Sequence, residues 1–186
     1  MDNKVKYNLK NVYWASITET VDTQTGETTY TYGTPKAWPG AVSISLDPEG
    51  DTSTFYADGI SYFVAIANNG YSGDFECALI PAEFRTQIMG ATTTDGVEYE
   101  YNDDQIKPFV LLFQFDGDQN AIKHCLYNVK AARPQISSQT NESGIEVRTE
   151  TASITATPRA DGLVKARCDQ ADAAAFSTWF QTVPTP

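Results

Sequence analysis

The sequence predicts a β-rich α+β fold, sandwich-like or barrel-like, with one flanking helix and one C-terminal helix. Three observations carry this. Apolar residues alternate with polar ones in several separate stretches, a nearly all-apolar run spans Phe109 to Phe115, and only two segments combine helical spacing with helical end signals. The chain has 186 residues, a length that suits one domain, 1–186, able to bury roughly 70% of the surface it exposes when unfolded.

The strands come first. Val42, Ile44 and Leu46 alternate with Ser43, Ser45 and Asp47. Ile60, Tyr62, Val64 and Ile66 form a second set, and Ile145, Val147, Thr149, Thr151 and Ser153 a third. Each pattern predicts a strand with that set turned inward. The Phe109–Phe115 run predicts a central strand covered on both faces.

Two helices follow. In Pro81 to Met89, Pro81 suits the first turn and Gly90 the residue just past the end, while Phe84 and Ile88 share a face. From Asp169 to about Thr182, Asp169 can cap the N-terminus, Asp172 suits the positive first turn, and Phe176, Trp179 and Phe180 form a packing stripe. Residues 18–29, 47–59 and 91–104 are rich in Thr, Asp, Asn and Gly and read as loops.

Composition narrows the function classes. Asp and Glu number 24 against 13 Lys and Arg, a formal net charge of −11. Gripping nucleic acid or anionic lipid needs clustered cations, so neither is expected. The three cysteines, Cys77, Cys125 and Cys168, are odd in number and widely spaced, which suggests free thiols rather than a disulfide framework or zinc site. Met1-Asp2-Asn3-Lys4 leads straight into alternating sequence with no apolar leader, so cytoplasmic synthesis is expected.

Catalytic signals are weak. His124 is the single histidine, in a predicted strand beside Cys125, so alternation turns the two to opposite faces. Glu98 and Glu100 could share a strand face, but nothing distinguishes them from other solvated carboxylates. Asp47, Glu49, Asp51, Ser53, Phe55 and Asp58 fall at calcium-loop spacing, yet Thr52 stands where the turn needs glycine. Asp116, Asp118 and Asn120 begin a similar pattern that Tyr127 fails to close. No enzyme activity and no cofactor are expected. Tyr30, Tyr32 and Trp38 could build a sugar-binding face, although core packing is the default use of such residues.

Charge is divided along the chain. Residues 37–118 hold fourteen acids and two bases, whereas 119–168 hold seven bases and four acids. Such a division suits heterologous, head-to-tail association.

Residues 7–15, 32–46, 55–66, 81–90, 109–115, 123–131 and 149–162, taken in that order, resemble the segments of one family, the major tail proteins (tail tube proteins) of siphophages infecting Gram-positive bacteria. The opening Tyr7-Asn8-Leu9-Lys10-Asn11-Val12-Tyr13-Trp14-Ala15 is similar to that family's first strand. Tyr32-Gly33-Thr34-Pro35 leading to Pro39-Gly40 and the strand ending at Leu46 resembles its second hairpin. Phe55-Tyr56-Ala57-Asp58-Gly59 before the strand Ile60 to Ile66 is the most specific piece. The helix ending on Gly90, the strands Phe109 to Phe115 and Lys123 to Ala131, and Thr149 to Ala156 before Arg159-Ala160-Asp161-Gly162 complete the set.

The resemblance implies a structural virion protein of the phage tail. Six copies would form a ring, each giving strands to a continuous barrel, and rings would stack into a tube. The tube would enclose the tape measure protein and later conduct DNA without binding it specifically. Tail-tip and tail terminator proteins would cap the ends, and no membrane is involved. The additional C-terminal immunoglobulin-like domain that some members carry is not expected here. Loop 47–59 is the expected inter-ring contact, with Asp47, Glu49, Asp51, Tyr56 and Asp58 as candidates. Glu98, Glu100, Glu146 and Glu150 are the candidate lumen carboxylates, and Phe84, Ile88, Phe176, Trp179 and Phe180 the helix-packing residues. The competing reading is a monomeric β-sandwich that binds carbohydrate or a surface receptor.

Overall fold

The computed structural model describes residues 2–138, 140 and 147–186. Strands dominate: β1 (Lys6–Val21), β2 (Thr28–Tyr32), β3 (Lys36–Ala37), β4 (Ala41–Glu49), β5 (Thr52–Ala57), β6 (Ile60–Ile66) and β7 (Gly70–Cys77) precede helix α1 (Ala82–Gln87). Then come β8 (Thr92–Thr94), β9 (Val97–Tyr99), β10 (Phe109–Gly117), β11 (Ile122–Ala131), β12 (Glu150–Ala156), β13 (Lys165–Cys168) and helix α2 (Ala174–Thr178). The β-rich α+β expectation therefore holds.

One antiparallel sheet runs β2-β1-β10-β11-β12-β7-β4, with β13 added to β11 and β3 to β1. β11 changes partner along its length, pairing β13 through Lys123–Leu126 and β12 through Val129–Ala131. The central strand β10 separates two cores. Phe109, Leu111 and Phe113 point into a larger core with Trp14, Trp38, Phe75, Phe84 and Ile154. Val110 and Leu112 point the other way, to Ala15, Cys125, Tyr127, Trp179 and Val183. An all-apolar strand is thus covered on both faces, as its lack of alternation predicts.

Helix α1 closes the larger core. Pro81 occupies its N-cap position and Gly90 follows with φ 87, a left-handed backbone that suits glycine. The fully buried Phe84 ring lies 4.4 Å from Trp38, 4.9 Å from Phe109 and 5.2 Å from Trp14, centroid to centroid. Ile88 is buried beside it.

The C-terminal helix is shorter than its sequence suggests. Its N-cap position is Ala173, and the Asp169 carboxylate takes Arg167 Nη2 at 2.8 Å instead of capping. At the other end, Lys123 Nζ donates to the Phe176 carbonyl at 2.5 Å, the acceptor that a continuing helix would offer to the Phe180 N–H. Trp179 is buried and its Nε1 donates to the His124 carbonyl at 3.2 Å, while Phe176 and Phe180 are half-buried with Lys123 over both rings.

Other expectations need correction. Residues 47–59 are mostly strand, not loop. The 18–29 stretch is likewise strand outside a short turn, and 91–104 holds the β8–β9 hairpin. Tyr32 to Leu46 is not a hairpin, since β3 pairs with β1 and β4 with β7; Pro35 and the Pro39-Gly40 break separate them. In β12 the buried set is Ala152, Ile154 and Ala156, the opposite phase from that predicted, while Thr151 and Ser153 are exposed. Val147 lies outside the strand and is 78% exposed, and Ile145 and Glu146 fall outside the described residues. Finally, the β6 set Ile60, Tyr62, Val64 and Ile66 does not face inward at all.

Candidate assembly surfaces

The β4–β7 ladder runs from Ala41↔Cys77 to Glu49↔Gly70 and then continues outward as the β5–β6 hairpin. Backbone bonds bridge the junction: Asn69 N–H donates to the Glu49 carbonyl at 2.8 Å, and Ala67 N–H to that of Asp51 at 3.0 Å. Gly70, with φ 109, sits where the hairpin leaves the body, and a Cβ there would lie 1.8 Å from the Ala156 carbonyl oxygen. Only glycine permits that approach. At the tip, Asp58 and Gly59 have φ 53 and 76, the paired positive values of a two-residue type I′ turn. Six paired rungs give an arm about 20 Å long.

This arm contributes to neither core. Phe55, Tyr56, Ile60, Tyr62, Phe63, Val64 and Ile66 are 48–77% exposed. Thr54 pairs with Val64 and Phe55 with Phe63, so successive rungs place apolar side chains on opposite faces. A ribbon uncovered on both faces, with apolar groups on each, is an unmet packing requirement.

A second surface belongs to the body. The outward faces of β4, β7 and β12 align in three rungs: Ser43–Glu76–Thr151, Ser45–Asp74–Ser153 and Asp47–Ser72–Thr155. Every member is a hydroxyl or a carboxylate. Ser43 Oγ donates to Glu76 at 3.0 Å, Thr149 Oγ1 to Glu76 at 2.5 Å and Ser153 Oγ to Asp74 at 2.7 Å. The result is a face with three acids, bordered on β11 by Lys130, which pairs with Thr155 and extends the third rung.

The sequence-chosen residues distribute unevenly over these surfaces. Asp47 joins the hydroxyl-acid face, and Glu49 closes the ladder and accepts the Ser72 hydroxyl. Asp51, Tyr56 and Asp58 all lie along the arm and are exposed. Of the proposed lumen carboxylates, Glu98 pairs with Arg85 at 2.7 Å and Glu100 with Arg133 at 2.8 Å. Glu150 accepts the Ile80 N–H at 2.6 Å, and Glu146 lies outside the described residues. Each described member of that set is thus already engaged within the subunit. Asp74 and Glu76 were missed, although Ser72-x-Asp74-x-Glu76 shows the same polar alternation as Ser43-x-Ser45-x-Asp47.

His124 stacks on Phe113, centroids 5.0 Å apart and 11° between planes, with Phe115 at 5.2 Å. Its Nε2 has no hydrogen-bond partner among the described residues. Burial, reinforced by Arg167, Lys165 and Lys6, lowers its pKa to about 4, while Asp169 opposes that shift. Cys125 is fully buried in the other core, and burial raises its thiol pKa. The pair is therefore split across the sheet. Among the described residues no three His, Cys, Asp or Glu side chains converge as a metal site would, and the calcium-like spacing at 47–58 falls on two strands.

The possible sugar-binding aromatics are occupied. Trp38 is buried in the larger core. Tyr30 and Tyr32 flank the buried Arg159, whose guanidinium lies 4.0 Å from the Tyr30 ring centre and also pairs with Asp161.

No protein-family model and no curated protein sequence matches the chain. Among solved structures it is similar to the anti-feeding prophage cap (AFP tube terminating cap), seen by cryo-EM, with a TM-score of 0.48 and 9% identity over 91% of this chain and 97% of that one. No helix among the described residues is long and apolar enough to cross a membrane.

Proposed function

We propose that this chain is a structural, non-catalytic subunit of a phage tail tube, of the kind the sequence resembles in siphophages. Hexameric rings of it stack around the tape measure protein and later conduct DNA, with tail-tip and terminator proteins at the ends. The observation that carries this reading is the arm. Seven large apolar side chains on both faces of a hairpin find no cover among the described residues, and a neighbouring copy can supply it. The uneven charge division supports a heterologous contact rather than a symmetric dimer.

The hydroxyl-acid face is the better candidate for the lumen than the arginine-paired glutamates. Its three acids outnumber the one bordering cation, Lys130, and its side chains are short, so DNA phosphate would be repelled rather than held. The inter-ring role passes from a loop to the β5–β6 hairpin. Negative-stain electron microscopy across a concentration series, beside light scattering, tests the proposal. Hollow tubes of constant width are expected, spontaneously or after adding tail-tip complex and tape measure protein. Absence of tubes under both conditions would refute it.

The arm's four open aromatics also suit carbohydrate. A chain that stays monomeric and binds a glycan through Phe55, Tyr56, Tyr62 or Phe63 would establish that second reading.

A further inference from the structure

We infer that the arm of one copy docks in an apolar groove at the opposite end of the β4–β7 ladder of the next copy. This deepens, and rests on, the tube reading. The arm leaves the ladder past Glu49↔Gly70. Just past the other end, at Ala41↔Cys77, lies a groove of about 530 Å³ lined by Pro39, Gly40, Ala78, Leu79, Pro81 and Arg85. Donor and receptor thus occupy the two ends of one rigid hairpin. Copies repeated along that direction bring arm to groove without any further rearrangement, which is the geometry of an open head-to-tail contact.

The surfaces match in chemistry. Leu79 is 68% exposed in the groove, an uncovered apolar side chain facing an uncovered apolar arm. Gly40 lies against Ala78, where a Cβ would approach the Ala78 Cβ to 2.8 Å, so small residues keep that wall low. The arm itself, residues 51–66, carries two acids and no base, and the charged residue lining the groove is Arg85, whose guanidinium already pairs with Glu98. Phe55 and Phe63 lie on one face of the ribbon and Tyr56, Val64 and Ile66 on the other, so the groove covers one face and a further neighbouring surface covers the second.

The cavity beside His124 is the competing receptor, since Lys6 and Lys165 line it. It also contains Leu46 and Tyr71, which stand at the arm-bearing end of the ladder. An in-line neighbour therefore presents its groove to the arm, not this cavity.

Cysteine pairs in assembled tubes test the assignment, in a background carrying Cys168→Ser to remove the half-buried native thiol. With Ser61→Cys near the arm tip and Leu79→Cys in one chain, oxidation should give a ladder of dimers, trimers and higher multimers, because every copy both gives and receives an arm. Tubes that cross-link through Ser61→Cys with Lys165→Cys, but not with Leu79→Cys, would overturn the groove and leave the tube reading standing. Tubes that yield only dimers would overturn the head-to-tail direction. Separately, Leu79→Glu should lower tube yield at least tenfold while the monomer keeps its melting temperature; wild-type yield would overturn the inference. If the wild-type chain never assembles, the tube reading falls and takes this inference with it.

Discussion

The body and the arm are written in the same alternating code yet end in opposite environments. In β12, Ala152, Ile154 and Ala156 are buried although two of them are alanine. In β6, Ile60, Tyr62, Val64 and Ile66 are far larger and remain exposed. Hydrophobicity along a strand states a demand for cover. Whether the same chain or another one supplies it depends on what lies across the strand. In the body α1 and the C-terminal segment supply it, and at the arm none of the described residues does.

Several substitutions probe that contrast. The largest stability loss belongs to the body: Phe84→Ala should remove about 3–5 kcal/mol in chemical denaturation, because Phe84 fills the space between Trp14, Trp38 and Phe109. A loss near zero would mean that α1 does not close the core.

Next comes pH. His124 titrates near 4 folded and near 6.5 unfolded, so both states are neutral above 6.5 and protonation below it favours unfolding. Stability should fall between pH 6.5 and 4 and then level off in this respect, by about 2 kcal/mol once partial solvent screening is allowed for. Asp116, Asp118 and Asp161 have pKa values held below the ordinary carboxylate value by hydrogen bonds, from Lys10, the Lys4 backbone and Arg159 respectively. Their contribution is present above that value and is lost below the His124 window. His124→Phe should flatten only the upper window, and an unchanged profile would refute the assignment.

At the arm tip, Gly59→Ala forces a side chain into a left-handed turn and should cost about 1 kcal/mol, seen as faster amide exchange confined to 52–66. Smallest of all for stability, the double change Phe55→Ser and Phe63→Ser should leave the melting temperature within about 2 °C. The same variant should abolish tube growth. Strong destabilisation by it would show that the arm packs on its own body, erasing the distinction between the regions.

Much of the body was legible in the sequence. The unbroken run at Phe109 marked the two-sided central strand, and Pro81 with Gly90 bracketed α1. The phase of β12 is hidden in the sequence because Ala152 and Ala156 weigh little beside Val147. The C-terminal helix was overextended because a competing donor, Lys123, comes from 53 residues away. By composition the arm reads as a loop, although Asp58-Gly59 between alternating stretches is a strong hairpin signal. Polar Thr and Ser in β5 masked it. The hydroxyl-acid face needed the register of three distant strands, which no local pattern supplies.

The unbroken hydrogen-bonded ladder from body into arm has a mechanical consequence. Bonds in an antiparallel pair lie across the strands. A pull on the arm tip draws both legs the same way, so tension runs through their covalent backbones and reaches the β7–β12 ladder as shear, its bonds loaded side by side rather than one after another. In a filament built through such arms, tension would pass from subunit to subunit along the backbone itself, and the first element to yield would be the side-chain contact at the arm's far end.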